Sequence, residues 1–101
     1  MKRYPMTFLI SWQLYQGRLH PVLAHFSKLT EEQDKALMGP EIRLIGRWHD
    51  LVSGTGVCIV ESDSIEAVTA YALKWNSEMD ITVQPVVDDA MAREMGERLS
   101  S

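Results

Sequence analysis

Residues 41–61 read EIRLIGRWHDLVSGTGVCIVE, and the conformation of this stretch dictates where the rest of the chain can go. From Glu41 the side chains alternate. Ile42, Leu44, Gly46 and Trp48 fall on one side of an extended chain, and Arg43, Ile45, Arg47 and His49 on the other. Such alternation puts successive side chains on opposite faces and predicts a half-buried strand over Glu41–His49. Ser53-Gly54-Thr55-Gly56 then supplies two glycines in four residues, enough backbone freedom for a tight reversal. Val57–Glu61 is apolar on both faces until Glu61, as a strand flanked by neighbours requires. The charged strand is therefore expected at a sheet edge and the apolar one in the centre.

Outward from this hairpin the other elements follow. Met6–Leu14 carries Met6, Phe8, Ile10, Trp12 and Leu14 on one face, a strand with one strongly apolar side. Leu19, Val22, Leu23, Phe26 and Leu29 recur at helical spacing, with Pro21 in the first turn where its missing N–H costs little. Thr30 and Gln33 form a capping-box pair that starts a second short helix, Glu31–Met38, ended by Gly39-Pro40. After the hairpin, Asp63 and Glu66 read as a second capping pair for a helix over Ser64–Asn76, whose apolar side holds Ile65, Val68, Tyr71, Ala72 and Trp75. Ile81–Val87 is a strand whose Pro85 cannot donate to a ladder, which predicts an edge. Asp88–Leu99 reads as a last helix with a narrow stripe of Met91, Met95 and Leu99.

The order β-α-β-β-α-β, joined by right-handed crossovers, is the α+β ferredoxin-like sandwich: a four-stranded antiparallel sheet with helices on one face, here with an extra C-terminal helix. In it the first and third strands are central, and in this sequence those two are the most apolar. The 101 residues are expected to form one domain. Both sheet faces carry apolar residues, so the uncovered face calls for a second cover, and a C2 homodimer supplies it most simply.

A net charge of −4 argues against non-specific nucleic-acid binding, while leaving room for a local basic strip at Arg43 and Arg47. The single cysteine excludes an internal disulfide and suits a reducing compartment. Lys2-Arg3 before Met6–Ile10 faintly resembles a signal peptide, but the apolar run is short and no small-residue cleavage site follows. Nothing approaches the ~20 apolar residues of a membrane span. A cytoplasmic protein is expected.

Leu44-Ile45-Gly46-Arg47-Trp48-His49-Asp50, the glycine turn and apolar strand Gly54–Glu61, and Lys74-Trp75-Asn76 with the later Asp80–Val87 resemble the bacterial family called domain of unknown function 3303. The resemblance runs from about Phe8 to Asp89. It implies the dimeric α/β-barrel type of ferredoxin-like fold. That group includes cofactor-independent monooxygenases, small isomerases and lyases, haem-binding enzymes and plain ligand-binding modules, and fold alone does not choose among them.

Among the reactive side chains, His49 is the candidate catalytic base, because an imidazole titrates near neutrality. Asp50 points the opposite way on a strand and is poorly placed to orient it; the plain alternative is a strand-end or dimer contact. Arg43 and Arg47, four residues apart, are read on one face, where they could clamp a carboxylate or phosphate or simply guard an edge strand. Trp48 and Trp75 are expected in the layer between sheet and helices, with Trp12 nearby, as a ligand pocket or as plain core. Asn76 could offer an amide to a ligand. Cys58 reads as an inert buried thiol. No metal-ligand spacing, phosphate-cradling glycine loop or Ser/His/Asp signature is found, and no cofactor is expected. The reading reached is a small-molecule or partner-binding module. A cofactor-independent enzyme of the monooxygenase or isomerase kind and a purely structural or assembly protein are the alternatives.

Overall fold

The order of elements in the computed structural model, which describes residues 5–100, is β1 (Met6–Leu14), α1 (Leu19–Ser27), α2 (Glu31–Met38), β2 (Arg43–Asp50), β3 (Thr55–Ser62), α3 (Ile65–Leu73), β4 (Met79–Val86) and α4 (Asp89–Ser100). Lys2 and Arg3, weighed above as the start of a signal peptide, lie outside the described residues. The strands form one antiparallel sheet in the order β2-β3-β1-β4, so the two most apolar strands are central and the proline-bearing β4 is an edge. This is the expected ferredoxin-like α+β arrangement.

The core lies between the sheet and the helices. Phe8, Ile10, Cys58 and Val60 rise from the central strands to meet Val68 and Tyr71 of α3, and Met38 and Ile42 close one end. Thr30 caps α2 reciprocally with Gln33, as their spacing predicts. At α3 the cap is Ser64, not Asp63: the Ser64 hydroxyl accepts from the Ala67 N–H at 3.1 Å, while the Ser64 N–H donates to the Ser62 hydroxyl. Two hydroxyls in register outcompete the carboxylate one residue earlier. The hairpin reverses at Gly54, whose φ of 72° suits glycine, and the Asp50 carboxylate accepts the Val52 and Ser53 N–H groups across the turn.

One irregularity departs from the simple alternation. Leu44 pairs with Val60 but Gly46 pairs with Ile59, so Ile45 is an extra residue on β2, a β-bulge. Because side chains alternate, one extra residue exchanges the faces of everything after it. Leu44 faces the helices, as expected. Beyond Ile45, Arg47 and His49 turn toward the helices with Cys58 and Gly56, while Gly46 and Trp48 turn to the open face. Arg43 and Arg47 therefore do not share a face. Trp48 is 60% exposed and stands outside the layer where it was expected beside Trp75.

Among the described residues, two apolar surfaces lack a cover. The open face carries Leu9, Trp48, Val57 and Ile59 among polar residues of β1 and β4. In α4 every residue is exposed, including Met91, Met95 and Leu99. The radius of gyration is 15.8 Å, against about 13 Å for a compact chain of this length. A helix standing off the body accounts for the difference.

Candidate functional site

The bulge at Ile45 builds the site. It delivers Arg47 and His49 to the space between the sheet, α1 and α3. There a half-open cavity of about 90 Å³ is walled by Trp12, Phe26, Arg47, His49, Tyr71 and Trp75, with aliphatic side chains completing it. The apolar stripe of α1 points toward this space, and none of its residues is fully buried. The apolar stripe read at helical spacing thus lines a hollow.

Arg47 is held on three sides. Nη1 donates to Asp34 Oδ2 at 2.9 Å, Nη2 donates to Oδ1 at 3.5 Å and to the Tyr71 hydroxyl at 3.3 Å, and the guanidinium lies 5.5 Å from the Phe26 ring centre. Its side chain is 11% exposed and that of Asp34 17%. Burial is the largest single influence and works against the Arg47 charge, but the bond to Asp34 and the charge interactions with Tyr71, Asp34 and Cys58 together outweigh it and raise the guanidinium pKa. Burial pushes the Tyr71 phenol up to about 12 and raises the Cys58 thiol, so both stay protonated near neutrality.

Trp12 reaches His49 by lying across Gly56. A Cβ on Gly56 would run into the Trp12 ring and sit 2.8 Å from the Trp48 carbonyl oxygen. With no side chain there, the indole spans β3 and meets the imidazole edge to face at 5.6 Å between ring centres. Phe26 packs on the other side of His49 at 5.3 Å. Burial and the nearby Arg47 charge lower the His49 pKa, which favours a neutral imidazole. Asp50 is committed to the turn, so it does not orient the ring, in line with the strand argument.

The indole Nε1 of Trp75 is buried and has no hydrogen-bond partner among the described residues. An unmade bond of this kind costs about 1–3 kcal/mol and calls for a reason. Trp75 also packs against His25, 5.9 Å between ring centres.

Of the residues singled out in the sequence, the structure brings Arg47, His49 and Trp75 together at the cavity. Arg43 lies at the sheet edge, ion-paired with Glu61 and well exposed. Trp48 covers Gly46 on the open face. Asn76 is exposed, and its carbonyl accepts from the Tyr15 hydroxyl at 3.3 Å. Asp34 and Tyr71 were not singled out. Tyr71 was visible only as part of an apolar stripe, and nothing in Glu31-Glu32-Gln33-Asp34-Lys35 marks the one acid that turns inward. Among the described residues no group of three or more His, Cys, Asp or Glu side chains is placed to hold a metal ion. No described helix is long and apolar enough to cross a membrane.

Fold and cavity together define a small ferredoxin-like α+β protein with a half-open aromatic pocket under its helices. The sequence pattern of the family described as Domain of unknown function (DUF3303) matches residues 6–100, and the chain belongs to that family. No curated protein matches it.

Proposed function

We propose that the protein is a small-molecule-binding module that works as a homodimer. The observation that carries the first half is the cavity. Its wall is mostly apolar and aromatic with a few polar groups, the pattern of a ligand site, and its volume of about 90 Å³ suits a molecule of about one ring. Ala72 lines it from α3, so Ala72→Leu fills the space without adding a polar atom. Native mass spectrometry of gently purified protein is expected to show a reproducible extra mass that Ala72→Leu lacks. A chain that never carries an adduct, and that binds no single-ring compound in solution, refutes the module.

The open sheet face supports the dimer. Four strands about 4.8 Å apart and about 26 Å long present a face of ~500 Å², short of the ~800 Å² per partner of a stable interface. The exposed Met91, Met95 and Leu99 of α4 supply further apolar area, and we assign both surfaces to the same contact. Trp48→Asp on the open face is expected to yield monomers in sedimentation; an unchanged dimer, or a monomeric parent protein, overturns the assignment.

The local basic strip that the net charge leaves room for does not form. Arg43 is paired with Glu61, and Arg47 is turned inward onto Asp34, which supports a partner other than nucleic acid. Cys58, buried and unpaired, supports a cytoplasmic setting. A catalytic role for His49 has its lowered pKa in favour, but its contacts are to aromatic rings rather than to an acceptor that would orient it as a base.

A further inference from the structure

The ligand class follows from the polar wall of the cavity, on the reading that the cavity is a binding site. Trp75 Nε1–H is buried and bonded to nothing. Its neighbour is the Tyr71 hydroxyl oxygen, and a Trp75 hydrogen bond counts among the influences on that group's titration, although no well-formed bond joins the two. The Tyr71 oxygen already accepts from Arg47 Nη2 at 3.3 Å, so its own hydrogen remains free to donate. Two neutral donors without acceptors therefore sit side by side on a wall that is otherwise mostly apolar.

The charge state of that wall is also set. The Arg47 guanidinium is matched by the Asp34 carboxylate through two bonds, so the pair presents no net charge. Arg47 lines the cavity, so a cationic ligand would meet it, while an anionic one would find that guanidinium already matched by Asp34 behind it. A water accepting from both donors would turn its own hydrogens toward a mostly apolar, aromatic wall. An oxygen or ring nitrogen that bears no hydrogen avoids that cost.

We propose that the pocket selects a neutral single-ring molecule carrying one hydrogen-free acceptor, such as a cyclic or aryl ketone or an aldehyde, held by Trp75 Nε1–H and the Tyr71 hydroxyl. The acceptor fills the unmade bond and the ring lies among Trp12, Phe26 and His49.

The test uses a matched pair, cyclohexanone and methylenecyclohexane, which differ in C=O against C=CH₂. Titrations followed by NMR are expected to show the ketone binding roughly three- to tenfold more tightly, the worth of one net hydrogen bond. The Trp75 indole N–H resonance should move downfield with the ketone alone. In Trp75→Phe the preference should shrink to within about twofold while the hydrocarbon still binds. Equal affinity for both probes, or a preference that survives Trp75→Phe, overturns the acceptor assignment and leaves the pocket standing. Binding of neither probe overturns the pocket itself. Should Trp75→Phe fail to fold, Tyr71→Phe and the indole resonance of the unaltered protein decide the same question.

Discussion

Replacing Asp34 by alanine should be among the most costly single changes on α2, although the helix reads as a solvated surface element. In the native protein the Asp34 and Arg47 side chains are 17% and 11% exposed, and two of the three hydrogen bonds to the guanidinium come from this carboxylate. Asp34→Ala leaves a buried cation with only the Tyr71 hydroxyl and the Phe26 ring. Breaking a buried pair in this one-sided way costs about 3–5 kcal/mol. Both groups keep some access to water, so the lower end, about 3 kcal/mol, is the expectation here. For a chain of this size that corresponds to a fall in Tm of roughly 12–24 °C. Urea unfolding followed by far-UV circular dichroism at one protein concentration measures it, with the m value checking that the same transition is compared. The double variant Asp34→Ala/Arg47→Met removes the stranded charge and should recover to within about 1 kcal/mol of the parent. A loss below about 1 kcal/mol for the single variant, the size of a surface ion pair, refutes the reasoning. So does a double variant no more stable than the single one.

Four further outcomes follow from the same geometry. Gly56→Ala drives a methyl group into the Trp12 ring and toward the Trp48 carbonyl, so it should cost about 1–3 kcal/mol and displace Trp12 from His49. Gly46→Ala meets only the exposed Trp48 ring, which can swing away, and thermal melts should rank it well above Gly56→Ala. Tyr71 has a pKa near 10 unfolded and about 12 folded, so its contribution is present below pH 10 and is lost as pH rises from about 10 to 12. That loss is about 2.7 kcal/mol, and Tyr71→Phe should flatten the stability curve over this range. His49 moves the other way. Its folded pKa is depressed, so stability should fall as pH drops below about 6.5, and His49→Gln should remove that part of the acid limb in pH-dependent melts.

Most of the fold was legible because its signals are local. The Thr30/Gln33 capping box, the two glycines of the hairpin, the proline in β4 and the apolar β1 and β3 each state their own position. The site was legible in part. The residue types mark Arg47, His49 and Trp75, but simple alternation puts Arg47 beside Arg43 and Trp48 beside Trp75. Both errors have one source, the bulge at Ile45. A bulged residue carries no compositional mark when it is an ordinary apolar side chain without glycine's positive φ, and all later face assignments depend on it. Asp34 was out of reach for a different reason: its partner is thirteen residues away on another element.

Hydrophobic patterning by itself favours the unbulged register, with Ile42, Leu44 and Trp48 all inward and both arginines outward. The folded chain instead exposes Trp48 and turns Arg47 inward, so other interactions must outweigh a tryptophan left 60% exposed. Three are on that side of the balance. The Arg47 guanidinium makes three hydrogen bonds and stacks on Phe26, His49 fits between Trp12 and Phe26, and Trp48 itself still covers Gly46. A buried ion pair is weak evidence for stability but is well suited to choosing between registers, because the wrong one leaves Asp34 without its cation. On this argument Asp34–Arg47 is a register lock. It selects the bulged strand, and the bulged strand is what brings Arg47 and His49 to the cavity and leaves Trp48 available on the open face.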